Sequence, residues 1–245
     1  MTKKLCSFIF ITLLLSAPLL AAPPNINLNI NSLMASPQFS NNVQLILSLS
    51  LISLIPFFLM SVTSFLRIII VFSLLRTAIG TQQVPPNSVL IGLALFMTVF
   101  TMSPVWQEIN TNALIPYNAG RLSQAKAVEL GLKPLSQFML RQTREKDLAL
   151  FVQFSKIKQP KTIDEVPIYV LIPSFMISEL KTGFQIGFLL FIPFIIIDLV
   201  VANILLSLGM FMLSPVMVSL PFKILLFVLV DGWNLITRGL LMSFR

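Results

Sequence analysis

Residues 182–222 read TGFQIGFLLFIPFIIIDLVVANILLSLGMFMLSPVMVSLPF, with Asp198 as the one formal charge. A helix of that length would be about 60 Å long, roughly twice the ~30 Å of a bilayer's hydrocarbon core. One span cannot hold it, so the run predicts a helical hairpin. Its turn should fall near Gly209 to Pro215, where glycine, serine and proline interrupt the apolar pattern. A further apolar run, Ile224 to Val230, continues the second arm, which carries Asp231 and ends by Leu241.

The rest of the chain has the same character. Of 245 residues 56% are apolar and 11% charged, with a mean hydropathy of +0.91. A soluble domain carries nearer 25% charge, and one core of this size cannot hide the surplus apolar surface. An ordinary cytosolic enzyme is therefore excluded. The chain has no histidine, and its single cysteine is Cys6, which removes His-based acid–base catalysis, Cys/His metal sites and disulfides together. No cofactor is expected. The net charge of +8 is diffuse rather than gathered into a basic stripe, so no nucleic acid is expected either.

Two more apolar segments precede the hairpin. Val43 to Leu66 is free of formal charge and should kink at Pro56; Arg67 and Arg76 then bracket a continuation to Gly80. The loop Gly80-Thr81-Gln82-Gln83-Val84-Pro85-Pro86 breaks the helix, Asn87 is the expected N-cap, and Ser88 to Trp106 is a second uncharged span. Residues 107–181 differ: they hold 17 of the chain's 26 charged residues. Gly131 reads as a C-cap, Lys133-Pro134 as the start of a new helix, and Pro160 and Pro167 as punctuation, giving a small, mainly helical aqueous insert. At the start, Lys3 and Lys4 precede the apolar run Leu5 to Leu15 and small residues at Ala17, Ala21 and Ala22. This is the layout of a signal peptide, residues 1–22, with an uncleaved anchor as the alternative. An Asn- and Pro-rich leader follows over residues 23–41. The expected class is thus an all-α membrane protein of four hydrophobic helical segments. Its parts are the signal peptide (1–22), the leader with a first hydrophobic hairpin (23–106), a polar insert (107–181) and a second hairpin (182–245). Export of the leader would put Arg67 and Arg76 on the cytoplasmic side, as positive-inside requires, and the insert on the extracytoplasmic side.

Ions inside apolar runs need a partner or a wet cavity. Asp198 and Lys223 lie equally far from the middle of the proposed turn, so antiparallel arms bring them level and predict a pair. Glu179 competes for Lys223, and Lys181 belongs to the same set. A proton-relay role for Asp198 is the alternative to a structural ion pair; the absence of histidine favours the pair. Gly183 with Gly187, and Ser88 with Gly92, have the small-xxx-small spacing that lets helices approach closely in membranes, although chance also produces it. The turn is rich in flexible, polarizable side chains, Met210, Phe211, Met212 and Met217. It reads either as a lipid-facing tip or as a compliant gasket in a ring of subunits.

Several blocks together are distinctive: Arg67-Ile-Ile-Ile-Val71 with Leu74-Leu-Arg76, Gly80-Thr-Gln-Gln83 through Pro85-Pro-Asn87, and Gln142-Thr-Arg-Glu145. Glu179-Leu-Lys-Thr182, Phe184-Gln-Ile-Gly-Phe188, Ile197-Asp-Leu-Val200 and Ser219-Leu-Pro-Phe-Lys223 to Val230-Asp-Gly-Trp233 follow. In collinear order over roughly residues 43–241, they resemble the FliP family of flagellar export-gate proteins, whose injectisome counterparts share the pattern. The resemblance implies a core subunit of the type III export gate in the bacterial inner membrane, within the flagellar basal body, with the insert periplasmic. It further implies several copies, typically five, assembling with FliR and FliQ into a helical, cone-like channel that FlhA and FlhB complete and that passes unfolded proteins. It also implies hairpins lifted from the bilayer plane in the assembly. It favours the gasket reading of the turn, with Phe211 and Ser214 departing from the family's usual methionine and proline.

The implied function is passage without chemistry on the substrate, since no phosphate-binding GxxxxGK[ST] occurs. One rival is a secondary transporter or ion channel with Asp198 and Arg67 in a polar path. Another is an intramembrane hydrolase, for which no Ser/Lys or paired-Asp constellation is convincingly placed.

Overall fold

The structure is a computed structural model that describes residues 45–50, 52–81, 83–155 and 165–244. The signal peptide, the Asn-rich leader and Pro160 lie outside those residues. The chain divides into two compact units, Met1–Ser53 and Leu54–Arg245. In the first, residues 45–50 are helical. The packing and the sites lie in the second.

Its described elements are helical: α1 (Ile55–Val62), α2 (Phe65–Ile79), α3 (Asn87–Ile109), α4 (Ile115–Asn118), α5 (Gln124–Gln142), α6 (Glu145–Phe154), α7 (Ile168–Ser207), α8 (Pro215–Leu229) and α9 (Gly232–Met242). A π-helical turn, Asn110–Leu114, joins α3 to α4. By length and composition Leu45–Val62, Asn87–Asn118 and Ile168–Ser207 could each cross a membrane, and α8 with α9, bent by 63°, could form a fourth span.

The central strut is α2. Its residues Phe65, Ile68, Val71, Phe72, Leu75, Ala78 and Ile79 are buried and recur at helical spacing, so one apolar stripe faces inward. Leu90, Ala94 and Met97 of α3 and Leu240 of α9 pack on the first half of that stripe; Phe194 of α7 and Phe227 of α8 cover the second. A separate cluster roots the polar insert, with Phe138 and Met139 of α5 meeting Val105 of α3 and Leu171 and Phe175 of α7.

Several local expectations are corrected. Near Pro56 the helical pattern is interrupted at Leu54 and restarts as α1, with Pro56 in its first turn, where its missing N–H is not needed. A further break, not expected from the sequence, comes at Thr63 in addition to the one before Pro56: its extended backbone separates α1 from α2 and its hydroxyl accepts the Phe65 N–H at 3.3 Å. Ser64 then meets Thr101 of α3, hydroxyl to hydroxyl, at 2.5 Å. At the next turn Gly80 closes α2 with φ +90°, a conformation that costs glycine little. Asn87 is not an N-cap: Pro86 holds that position, and the Asn87 side-chain oxygen instead accepts from the Arg76 guanidinium at 2.6 Å. Nor does Gly131 end a helix, or Lys133-Pro134 begin one. Helix α5 runs through both, capped at its start by Ser123 and with Pro134 buried inside it. A side chain at Gly131 would touch Ala113 and Ile109, so this glycine marks packing against the π turn. Finally, α7 begins at Ile168 and passes Thr182 without a break; residue 182 marks a change in composition, not the start of an element.

Candidate functional site

The hairpin is made by α7 and α8. Its turn is set by Gly209 at φ +72°, with the Met210 N–H returning to the Leu205 carbonyl and the Gly209 N–H to that of Leu206. This pair of bonds is a Schellman cap, which satisfies the last carbonyls of α7 and needs a left-handed residue. Pro215 opens α8 in its first turn, where proline is preorganised for a helix. Between these stops the tip stands out from the rest of the fold: Phe211 is 76% exposed and Met212 98%, with Met210 and Met217 exposed as well. A cleft of about 410 Å3 lined wholly by apolar side chains, Val201, Leu205, Val218 and Phe222 among them, lies between the arms.

Further from the tip the arms are pinned. The Lys223 ammonium donates to the Asp198 carboxylate at 2.6 Å, and the Ser219 hydroxyl donates to its other oxygen at 2.5 Å. Lys223 is buried, whereas the Asp198 side chain keeps 28% of its surface. Glu179 does not compete for Lys223, and Lys181 joins no ion pair among the described residues. Lys181 lies exposed on the opposite side of α7 from the buried Glu179, two residues and about 200° around the helix from it.

Glu179 belongs instead to a second cluster, buried and centred on Arg67 of α2. The Arg67 guanidinium binds Glu179 bidentately, Nε to one oxygen at 2.9 Å and an Nη to the other. Its remaining donors reach the Gln142 amide oxygen at 2.9 Å and the carbonyl and hydroxyl of Ser243, both at 3.0 Å. All five N–H groups of the fork are thus occupied. The Phe244 ring stacks against the guanidinium with its centre 4.1 Å from Cζ, a favourable cation–π contact. Four segments, α2, α5, α7 and the residues after α9, therefore meet at one charge. Sequence reasoning missed this pairing: its members lie 112 residues apart, and no local spacing announces it. Beside it the Ser178 hydroxyl donates to Asp147 at 2.8 Å and accepts the Arg144 N–H at 3.0 Å, fastening α6 to α7.

The two small-residue pairs part company. Gly183 and Gly187 face α2, where an added Cβ would come within 3.1 Å of Ile70 and 2.2 Å of Leu74 respectively. Ser88 is exposed, and a Cβ on Gly92 would meet nothing within 4 Å; among the described residues no helix packs closely against that pair. Outside the apolar helices, the hydrogen bond and charge of Lys126 hold the Glu129 carboxyl below its ordinary pKa. Among the described residues no cluster of three or more Asp, Glu, Cys or His could hold a metal. What the arrangement offers is an apolar tip on an ion-pinned hairpin.

Comparison with known proteins gives one consistent result. A family model described as the FliP family matches residues 48–240. The chain is 52% identical over 217 residues to "Flagellar biosynthetic protein FliP" of Bacillus subtilis (strain 168), covering 89% of this chain and 98% of that protein. It is 52% identical over 203 residues to the protein of the same name from Pectobacterium carotovorum subsp. carotovorum, covering 83% and 79%. Its identity to that of Borreliella burgdorferi (strain ATCC 35210 / DSM 4680 / CIP 102532 / B31) is 44% over 220 residues, covering 89% and 86%.

Proposed function

Because the chain belongs to the FliP family, we propose that it is a core channel subunit of a flagellar type III protein export gate, passing unfolded proteins across the inner membrane. The observation that carries this reading is the hairpin tip. Met210, Phe211 and Met212 are held out from the fold by a Schellman cap and a proline start, while an ion pair fixes the arms behind them. Several copies, with five as the expected number, would bring such tips together around a pore. Methionine side chains could then close against one another and yield to a passing chain. FliR and FliQ are the expected ring partners, with FlhA and FlhB completing the apparatus and the insert, residues 107–181, on the periplasmic side. Export energy comes from those other components, and this chain catalyses no reaction. The relatives described above are flagellar by name, which favours the flagellar system over an injectisome. A lone transporter or channel would conduct solute without partners, whereas this reading requires them.

The test is an ion-leak measurement. Replacing Met210, Phe211 and Met212 together by glycine should raise small-ion leak in cells that assemble the complex, while the complex keeps its size. Unchanged leak with normal assembly would falsify a sealing role for the tip.

A further inference from the structure

The Arg67 cluster separates two flanks of unlike charge. On the first, a cavity of about 760 Å3 opens between α3, the end of α5 and α9, and no residue of α6 or α7 lines it. Arg141 and Arg238 both do, and no acidic residue does. Both arginines are exposed, and neither joins an ion pair among the described residues. Arg141 donates from Nε to the Gln137 carbonyl of its own helix at 3.4 Å, which leaves most of its fork open. Phe100, 68% exposed, and Met242, 52% exposed, line the same cavity. Exposed apolar groups gathered in this way mark a contact surface. A partner that covers the two arginines must bring a negative charge, because a guanidinium buried without one is strongly unfavourable.

The second flank is α6, packed on α7. The first turn of α6 carries Glu145, exposed and in no ion pair among the described residues. The bonds put it at the level of the arginines. Arg141 precedes Gln142, which Arg67 holds. Arg238 stands five residues, about 8 Å along α9, before Ser243, which Arg67 also holds. Glu145 follows Arg144, whose N–H is held by Ser178, the neighbour in sequence of Glu179. Glu108 and Asp231 are also exposed and outside any ion pair among the described residues. They belong, however, to α3 and to the start of α9, the elements that form the arginine flank itself. On the α6–α7 flank Lys146 and Lys181 are basic, and Asp147 already accepts from Ser178. Glu145 is the acid that remains there.

We infer that the arginine cavity is completed by a second copy of this chain, whose Glu145 enters it and pairs with Arg238 and Arg141. The contact is head-to-tail, the α3–α5–α9 flank of one copy meeting the α6–α7 flank of the next. Unlike faces at one level propagate around an axis and close into a ring when the rotation permits. An arginine fork takes a carboxylate bidentately, so the contact fixes orientation as well as proximity. The inference rests on the several-copy reading of the function and adds which faces meet.

Cross-linking between copies tests it. In the full chain carrying Cys6→Ser, Arg238→Cys and Glu145→Cys are placed on two differently tagged copies, and membranes holding the assembled complex are treated with a short bismaleimide. A product carrying both tags is expected. With both cysteines in one chain, a ladder of multimers is expected. A complex of normal mass that gives no two-tag product overturns the inference, as does cross-linking confined to single chains; the several-copy reading survives either result. Absence of any multi-copy complex from the unaltered chain sinks that reading, and this inference with it. Charge reversal is the second measurement. Arg238→Glu and Glu145→Arg should each lower recovery of the multi-copy complex about 30-fold, the lower end for breaking a buried charge pair at an interface. Combined in one chain, they should restore most of it. If the combination rescues nothing, or if Glu108→Arg or Asp231→Arg rescues Arg238→Glu in place of Glu145→Arg, the inference is overturned.

Discussion

At the scale of single residues, the two ion clusters differ in what each should withstand. Arg67 is buried with every donor engaged, so removing Glu179 strands an uncompensated charge. Breaking such a pair from one side costs about 3–5 kcal/mol. Glu179→Ala should therefore lower the melting temperature of the complex sharply. Arg67→Lys should fall between wild type and Arg67→Ala, because an ammonium keeps the charge but cannot serve Glu179, Gln142 and Ser243 in one plane. A melting scan that cannot distinguish Arg67→Lys from wild type would show that the fork geometry is idle. The Asp198–Lys223 pair is simpler, with one bridge and one hydroxyl. Exchanging the two residues should restore assembly lost in either single reversal, since Ser219 can accept from a lysine as readily as it donates to a carboxylate. If the exchange rescues nothing, the pairing seen at 2.6 Å is not what holds the arms. The same two clusters show what a sequence exposes. Asp198 and Lys223 were legible because a hairpin maps equal distances from its turn onto one level. Arg67 and Glu179 were not, because only tertiary packing relates α2 to α7.

Among elements, close approach of α2 and α7 is the contact on which the rest is built. Gly187 allows it: a Cβ there would lie 2.2 Å from the Leu74 Cδ1 and 3.0 Å from its Cβ. The Leu74 tip can rotate away, but its Cβ moves only with the helix, so Gly187→Ala should destabilise by about 1–3 kcal/mol, as overpacking does. Trimming the obstructing side chain, Leu74→Ala, should recover part of that loss when combined with it. Gly92→Ala should change the protomer little, because nothing stands within 4 Å; comparing the thermal stability of the three variants checks both statements. The two glycines share a sequence pattern, and only the structure shows which of them faces a helix of the same chain. Element type was read more securely than element boundary for the same reason. Long apolar runs specify helices wherever they pack, whereas Gly131 and Pro134 look like terminators unless one knows that α5 is held against α3, the π turn and α7. The hairpin turn was an easier reading, because Gly209 and Pro215 act through backbone geometry alone.

For the whole molecule, the decisive quantity is the apolar surface that this chain leaves uncovered. Only eleven of the 40 residues of α7 are buried, Val99 and Phe100 of α3 are about 70% exposed, and Phe211 and Met212 at the tip are 76% and 98% exposed. Ser88 is exposed, and among the described residues nothing lies within 4 Å of a Cβ on Gly92. Lipid can cover the flanks of a helix, but it gives no reason for methionines to be held out on a capped turn between ion-pinned arms. On the proposed function sister copies would, because each tip would then meet its equivalents around an axis. The mass of the complex purified from membranes should therefore correspond to several copies of this chain when FliR is co-expressed. Without FliR the material should be smaller or heterogeneous. The ion-pair variants and the tip variant should separate in the same measurement: Glu179→Ala should deplete the assembled species, while glycine at the tip should leave its mass intact and change only what leaks through. A homogeneous single-copy species that supports flagellar export by itself would remove the basis for placing these tips around a shared pore.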